Sequence, residues 1–116
     1  MTTGTVLTLA RITPVPGPET ALSARMCAAI NLLDPRPPLV IVAEGALALL
    51  LPAVALSQRA AHRRVGEYVL IDPELPPVTD SWPDAPVTVV SSDEASDASL
   101  QGRLRGWTVV PKGAEG

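Results

Sequence analysis

This chain is short of nearly every residue type that carries chemistry. Its 116 residues include one histidine, one cysteine, one tyrosine, two tryptophans and no phenylalanine. A lone Cys27 excludes an intramolecular disulfide and a cysteine-based metal cluster. His62 has no partner at metal-ligand or catalytic spacing, so no metal and no cofactor is expected. With so few aromatics, a core must be built mostly from Leu, Val, Ile and Ala. Basic surface is scarce too: the net charge is −3, against what phosphate neutralisation requires, so nucleic acid is not an expected partner. Met1 to Thr5 carry no positive charge ahead of an apolar run. No signal peptide is therefore expected, and a cytoplasmic location is the default.

What the chain does have is apolar residues, 47% of the total, and thirteen prolines. A chain of this length supports one core, hence a single domain over residues 1–116 with a frayed tail from 112 to 116. Strand and helix patterns alternate along it. TVLTLA (Thr5 to Ala10) reads as a strand, and the stiff Pro14–Pro18 loop delivers the chain to an amphipathic helix over Glu19 to Leu33. Leu39 to Ala43 reads as a second strand and Ala46 to His62 as a second helix, apolar in its first half, with Pro52 expected to kink it. Tyr68 to Ile71, Val87 to Val90 and Trp107 to Val110 read as strands, and Ser96 to Arg105 as a weak helix broken by Gly102. Such alternation implies an α/β fold with right-handed crossovers: a small three-layer parallel sheet of four to five strands with flanking helices.

The segment PLVIVAEGALALLLP, residues 38 to 52, is the most distinctive. A β-branched run passes into small residues and then into helix formers, the layout of a buried parallel strand, a tight turn and a packed helix. Val40 to Pro52 resembles the V-x-V-G-H-S-x-A-G-x-L-L-P segment of short actinobacterial-type α/β hydrolases. Downstream, Val65 to Asp72 is similar to that family's V-A-x-Y-V-x-V-D strand. Leu75-Pro76, Trp82 and Asp84-Ala85-Pro86 stand where it has L-P, W and A-P, and Gly106 to Val110 resembles its G-W-P-V strand. The resemblance covers residues 38 to 114 and implies a truncated α/β-hydrolase-like core.

It also implies a nucleophile elbow at Ala43-Glu44-Gly45-Ala46, in which Gly45 takes the place of the serine. The acid falls at Asp93 or Glu94, as a vestige. The catalytic histidine falls at Lys112-Gly113-Ala114, where there is none. Without nucleophile and base no acyl-transfer mechanism survives, so the expected function is non-catalytic: a module that binds a partner or a small apolar ligand. Homo-oligomerisation, or pairing with another protein through an exposed sheet edge, goes with a shortened sheet. Candidate ligand contacts are Glu44 and Gly45 at the turn and Asp72 and Glu74 at the end of the third strand, the edge where parallel sheets bind ligands. Glu44 is expected to cap the following helix, Asp72 to shape its loop, and Arg59, His62, Arg63 and Arg64 to form a solvated helix end. The alternatives are a residual esterase with a rearranged site, a truncated gene remnant, or a single-span membrane protein through Leu39 to Leu56, in which Glu44 would be costly.

Overall fold

The computed structural model describes residues 4–18 and 21–112. Five strands, β1 (Thr5–Thr8), β2 (Leu39–Glu44), β3 (Val65–Ile71), β4 (Val87–Ser91) and β5 (Thr108–Pro111), alternate with helices α1 (Leu22–Leu33), α2 (Leu51–Ala60) and α3 (Asp97–Leu104). All four strand pairs are parallel and the order in the sheet is the order in the chain. The structure is thus an α/β fold, a five-stranded parallel sheet with flanking helices. The start of α1 expected at Glu19, and the tail from Gly113, lie outside the described residues.

Each helix shows why it is one. Met26, Ala29 and Ile30 on α1, and Leu51, Val54, Ala55 and Gln58 on α2, are buried at the i, i+3, i+4 spacing of a single helical stripe. This stripe ends before Leu33, which is exposed. The Ser96 hydroxyl accepts the Ser99 amide at 3.1 Å and caps α3. Gly102 does not break that helix. A methyl group there would stand 3.1 Å from Val109 Cγ2 and 3.3 Å from Val89 Cγ2, so its bareness lets α3 lie close on the sheet. Nor does Pro52 kink α2. Residues 45–50 form a 3-10 stretch and the α-helix begins only at Leu51, which puts the proline in a first turn that needs no amide donor. The first strand stops at Thr8 because Leu9–Arg11 turn as a 3-10 helix and bury Leu9. The apolar run Leu39 to Leu56 is divided among β2, the turn and α2, and no described helix is long and apolar enough to cross a membrane.

Strand order also decides where the core lies. Right-handed crossovers that always step in the same direction across a sheet all lie on one face of it. Leu7, Ile41, Tyr68 and Val87 are register partners in turn, as are Ala43, Leu70, Val89 and Val109. These side chains share one face and form the core with Met26, Ile30, Leu51, Val54 and Ala55. α3 meets the same face through Gly102. Between β3 and β4 there is no helix; the loop of residues 72–86 crosses instead and buries Trp82 there completely. The alternate residues, among them Val6, Val40, Val42, Val69, Ile71 and Val110, face the other way and take no part in that core.

Candidate functional site

β2 ends in a sharp change of backbone direction. Glu44 is extended, with φ −115° and ψ 137°, whereas Gly45 has φ +58°, in the left-handed region that glycine enters without a Cβ penalty. The Gly45 carbonyl accepts the Glu74 amide at 3.0 Å, which docks the loop after β3 against the turn. A Cβ built on Gly45 would meet nothing within 4 Å. The position is therefore open, and what it lacks is a functional group rather than room.

Glu44 does not cap the helix. It is exposed and makes no capping hydrogen bond. A capping side chain has to stand directly before helical residues, and here a left-handed residue intervenes. Asp72, at φ +40°, is engaged in its loop. Its Oδ1 accepts the Ser92 amide at 2.8 Å and the Ser92 hydroxyl at 3.0 Å, and Lys112 Nζ lies 3.5 Å from Oδ2. The Ser92 amide is the chief reason its carboxyl sits below the usual range, against the opposing pull of desolvation.

Asp93 is likewise spent on structure. Its Oδ1 accepts the Ala95 amide at 2.9 Å, and its carbonyl accepts the hydroxyls of Ser91 at 2.8 Å and Ser99 at 2.9 Å. The Glu94 carbonyl holds Arg103. The fold thus brings Glu44, Gly45, Asp72, Glu74, Asp93 and Glu94 to the carboxyl edge of the sheet, with several of their polar groups already committed to the loops. Among the described residues no cluster of three His, Cys, Asp or Glu side chains could hold a metal ion.

His62 stands apart from this edge. It follows α2, whose ten residues extend about 15 Å from the turn toward the opposite edge. It adopts φ +60° and, with Arg59, Arg63, Arg64 and Asp84, lines a cavity of about 490 Å³. A base there cannot reach a group at Gly45.

The same end of the sheet holds two arrangements that sequence reading did not find. The first corrects the solvated helix end: Arg63 is buried, donating from Nε to Gln58 Oε1 at 2.8 Å, from Nη1 to Asp34 Oδ1 at 2.9 Å and from Nη2 to Asn31 Oδ1. The second is the Tyr68 hydroxyl, which donates to Asp84 Oδ1 at 2.5 Å, while Asp84 Oδ2 faces Arg59 Nη1 at 3.4 Å. Pairs 16 to 32 positions apart leave no local pattern in a sequence.

Burial first, then the bond and charge of Asp84, push the Tyr68 phenol well above its ordinary value, with Arg59 opposing. The folded state thus holds this proton more tightly than the unfolded chain. Its contribution is complete below about pH 10, the unfolded tyrosine value, and is lost as pH rises through the folded value. Urea midpoints should begin to fall as pH rises above about 10, and Tyr68→Phe should flatten that part of the profile. An unchanged alkaline slope in Tyr68→Phe would refute the assignment.

No family model, curated protein or solved structure matches this chain. Its function has to be read from its own residues.

Proposed function

We propose that the protein is a non-catalytic, α/β-hydrolase-like binding module whose elbow has kept its shape and lost its nucleophile. Gly45 carries the reading. The turn after β2 has the positive φ and open outer position of a site that presents a side chain, yet no side chain is there. The single histidine is at the far end of α2. The hydroxyls nearest in kind to a nucleophile, on Ser91, Ser96 and Ser99, bond one another and the Asp93 carbonyl, with no histidine among their partners. Nucleophilic hydrolysis needs an activated hydroxyl with a base in reach, so binding is the use left to this fold.

The test is a panel of short-chain esters, with a fluorophosphonate probe, on wild type and Gly45→Ser. Neither protein should turn over substrate or be labelled above a heat-denatured control, because restoring the hydroxyl does not restore the base. Gly45→Ser should also lose about 1 kcal/mol of stability in urea, the cost of a Cβ at left-handed φ. Wild-type hydrolysis that survives repurification, or labelling of any serine, would overturn the proposal.

A further inference from the structure

We infer that the face of the sheet on which no described helix packs is a self-association surface, covered in solution by the same face of a second copy of this chain. The inference is independent of how the elbow is read, since it rests on strand order and on the identity of the outward residues.

Three rows of register partners make up this face. Val6 and Val40 lie beside Glu67; Thr8, Val42, Val69, Thr88 and Thr108 form the next row; Glu44, Ile71, Val90 and Val110 form the last. Seven of these twelve are Val or Ile, and there is no Lys or Arg. Val40, Val42, Val69, Ile71 and Val90 lie on the three inner strands together with Thr88 and Glu67, Thr8 and Thr108 lie on the edge strands with Val6 and Val110, and Glu44 closes the carboxyl end of β2. Glu67 is held by the Thr88 hydroxyl at 3.1 Å. None of the side chains belongs to the core cluster; Val6 is exposed, Val40, Val42, Val69, Ile71 and Val110 are half-buried, and Val90 is buried. Parallel sheets occur almost only with both faces covered, because the runs of β-branched residues that form them expose too much apolar surface otherwise.

The occupant follows from shape and area. A pleated face of β-branched side chains is complementary to another such face, and sheets stack this way about 10 Å apart. A two-fold contact about the centre of the sheet sets this face against itself, apolar on apolar, in one step. No basic residue on the face would select an acidic partner. Five strands at about 4.8 Å spacing and some 15 Å of length give a footprint of roughly 350 Å² in plane. With pleating and rim, the two copies together bury on the order of 1,000 Å², the lower bound for a specific interface. An interface of that size is at the weak end of the range, so the dimer should be reversible at micromolar concentrations. Pairing through the sheet edges fits less well. The edge strands β1 and β5 have four residues each, β5 ends in Pro111, and an edge contact leaves the apolar face bare.

The experiment is sedimentation equilibrium of the full chain from about 1 to 300 μM, a range that spans those concentrations. Val69 lies on the middle strand and in the middle row, near the two-fold axis of a centred contact. Val69→Lys and Val69→Glu should each raise the dissociation constant at least about 30-fold, since a like charge then meets itself in a desolvated contact. Far-ultraviolet circular dichroism should be unchanged, because the side chain is outside the core. An equimolar mixture of the two variants should recover dimer, which a folding defect could not produce. A wild type that stays monomeric throughout, or a dimer indifferent to both charges, would overturn the inference. So would charge variants that dissociate but fail to re-pair when mixed.

Discussion

Trp82→Ala is expected to cost about 3–5 kcal/mol, the range for removing a fully buried large aromatic. In a domain of this size that lowers the melting temperature by roughly 10–20 °C. The reason lies in the connections. α2 and α3 cover their parts of the core face, but the step from β3 to β4 is made by a loop with no helix in it. Trp82 fills the space a crossover helix would occupy. Its ring meets Tyr68 edge-on at 5.6 Å between centroids and Trp107 edge-on at 5.8 Å, so three of the chain's three aromatics form one stack. Arg105 lies over the outer ring, 4.9 Å from the Trp107 centroid. Alanine would leave a cavity that Tyr68 cannot fill without breaking its bond to Asp84. Trp82→Phe separates volume from polarity. It keeps most of the ring and removes a buried indole N–H that has no hydrogen-bond partner, so it should cost less than half as much, roughly 1–2 kcal/mol. Thermal melts of the two variants check this. A loss under about 1 kcal/mol for alanine would show that the loop packs without the tryptophan.

The contrast between Trp82 and the strands marks what was legible in the sequence. β2, β3 and β4 were readable because a parallel strand buried on its core side must be a short β-branched run between turn residues, a local property. The apolar block that becomes α2 was readable too, but not its start at Leu51 or the single stripe by which it packs. Gly102 was misread as a breaker because the closeness of a helix to a sheet is not local information; the valines that demand a bare position are 7 and 13 residues away. Pro52 was misread because the sequence does not mark where 3-10 geometry gives way to α. At the candidate site, the absence of a functional group at Gly45 was legible as a residue identity, whereas its positive φ is a conformation that any glycine permits and none requires. The bare face was hidden for a further reason. It depends on strand order, and nothing in alternating β and α segments distinguishes a sheet wound one way from a sheet wound both ways.

Arg63→Ala is expected to cost about 2–3 kcal/mol, and the partition of that loss is what makes it informative. The guanidinium joins α1 to α2 at the amino edge of the sheet, meeting Asn31 and Asp34 at the carboxyl end of one helix and Gln58 on the buried stripe of the other. The ion pair contributes little. The Asp34 side chain is 83% exposed, so its carboxylate returns to water when the arginine is removed, and Asp34→Asn should cost no more than about 1 kcal/mol. Asparagine also tolerates the left-handed φ of 45° found there.

Gln58 cannot be rehydrated in that way. It is fully buried, its Nε2 already lacks a partner, and Arg63 holds its only satisfied side-chain atom. Losing the arginine leaves a whole amide desolvated and unpaired, at about 1–3 kcal/mol, and exposes apolar surface that the arginine stem covered. Lysine cannot substitute, because one ammonium does not reproduce a planar fork directed at three acceptors. If this account holds, Arg63→Met in a Gln58→Leu background should recover most of the stability lost by Arg63→Met alone, since it removes the donor, the acceptor and the orphaned amide together. Urea denaturation of the four proteins, wild type, both single variants and the double, gives the coupling directly. Additive losses would mean that the two side chains do not form one unit, and the latch between the helices would have to be sought elsewhere.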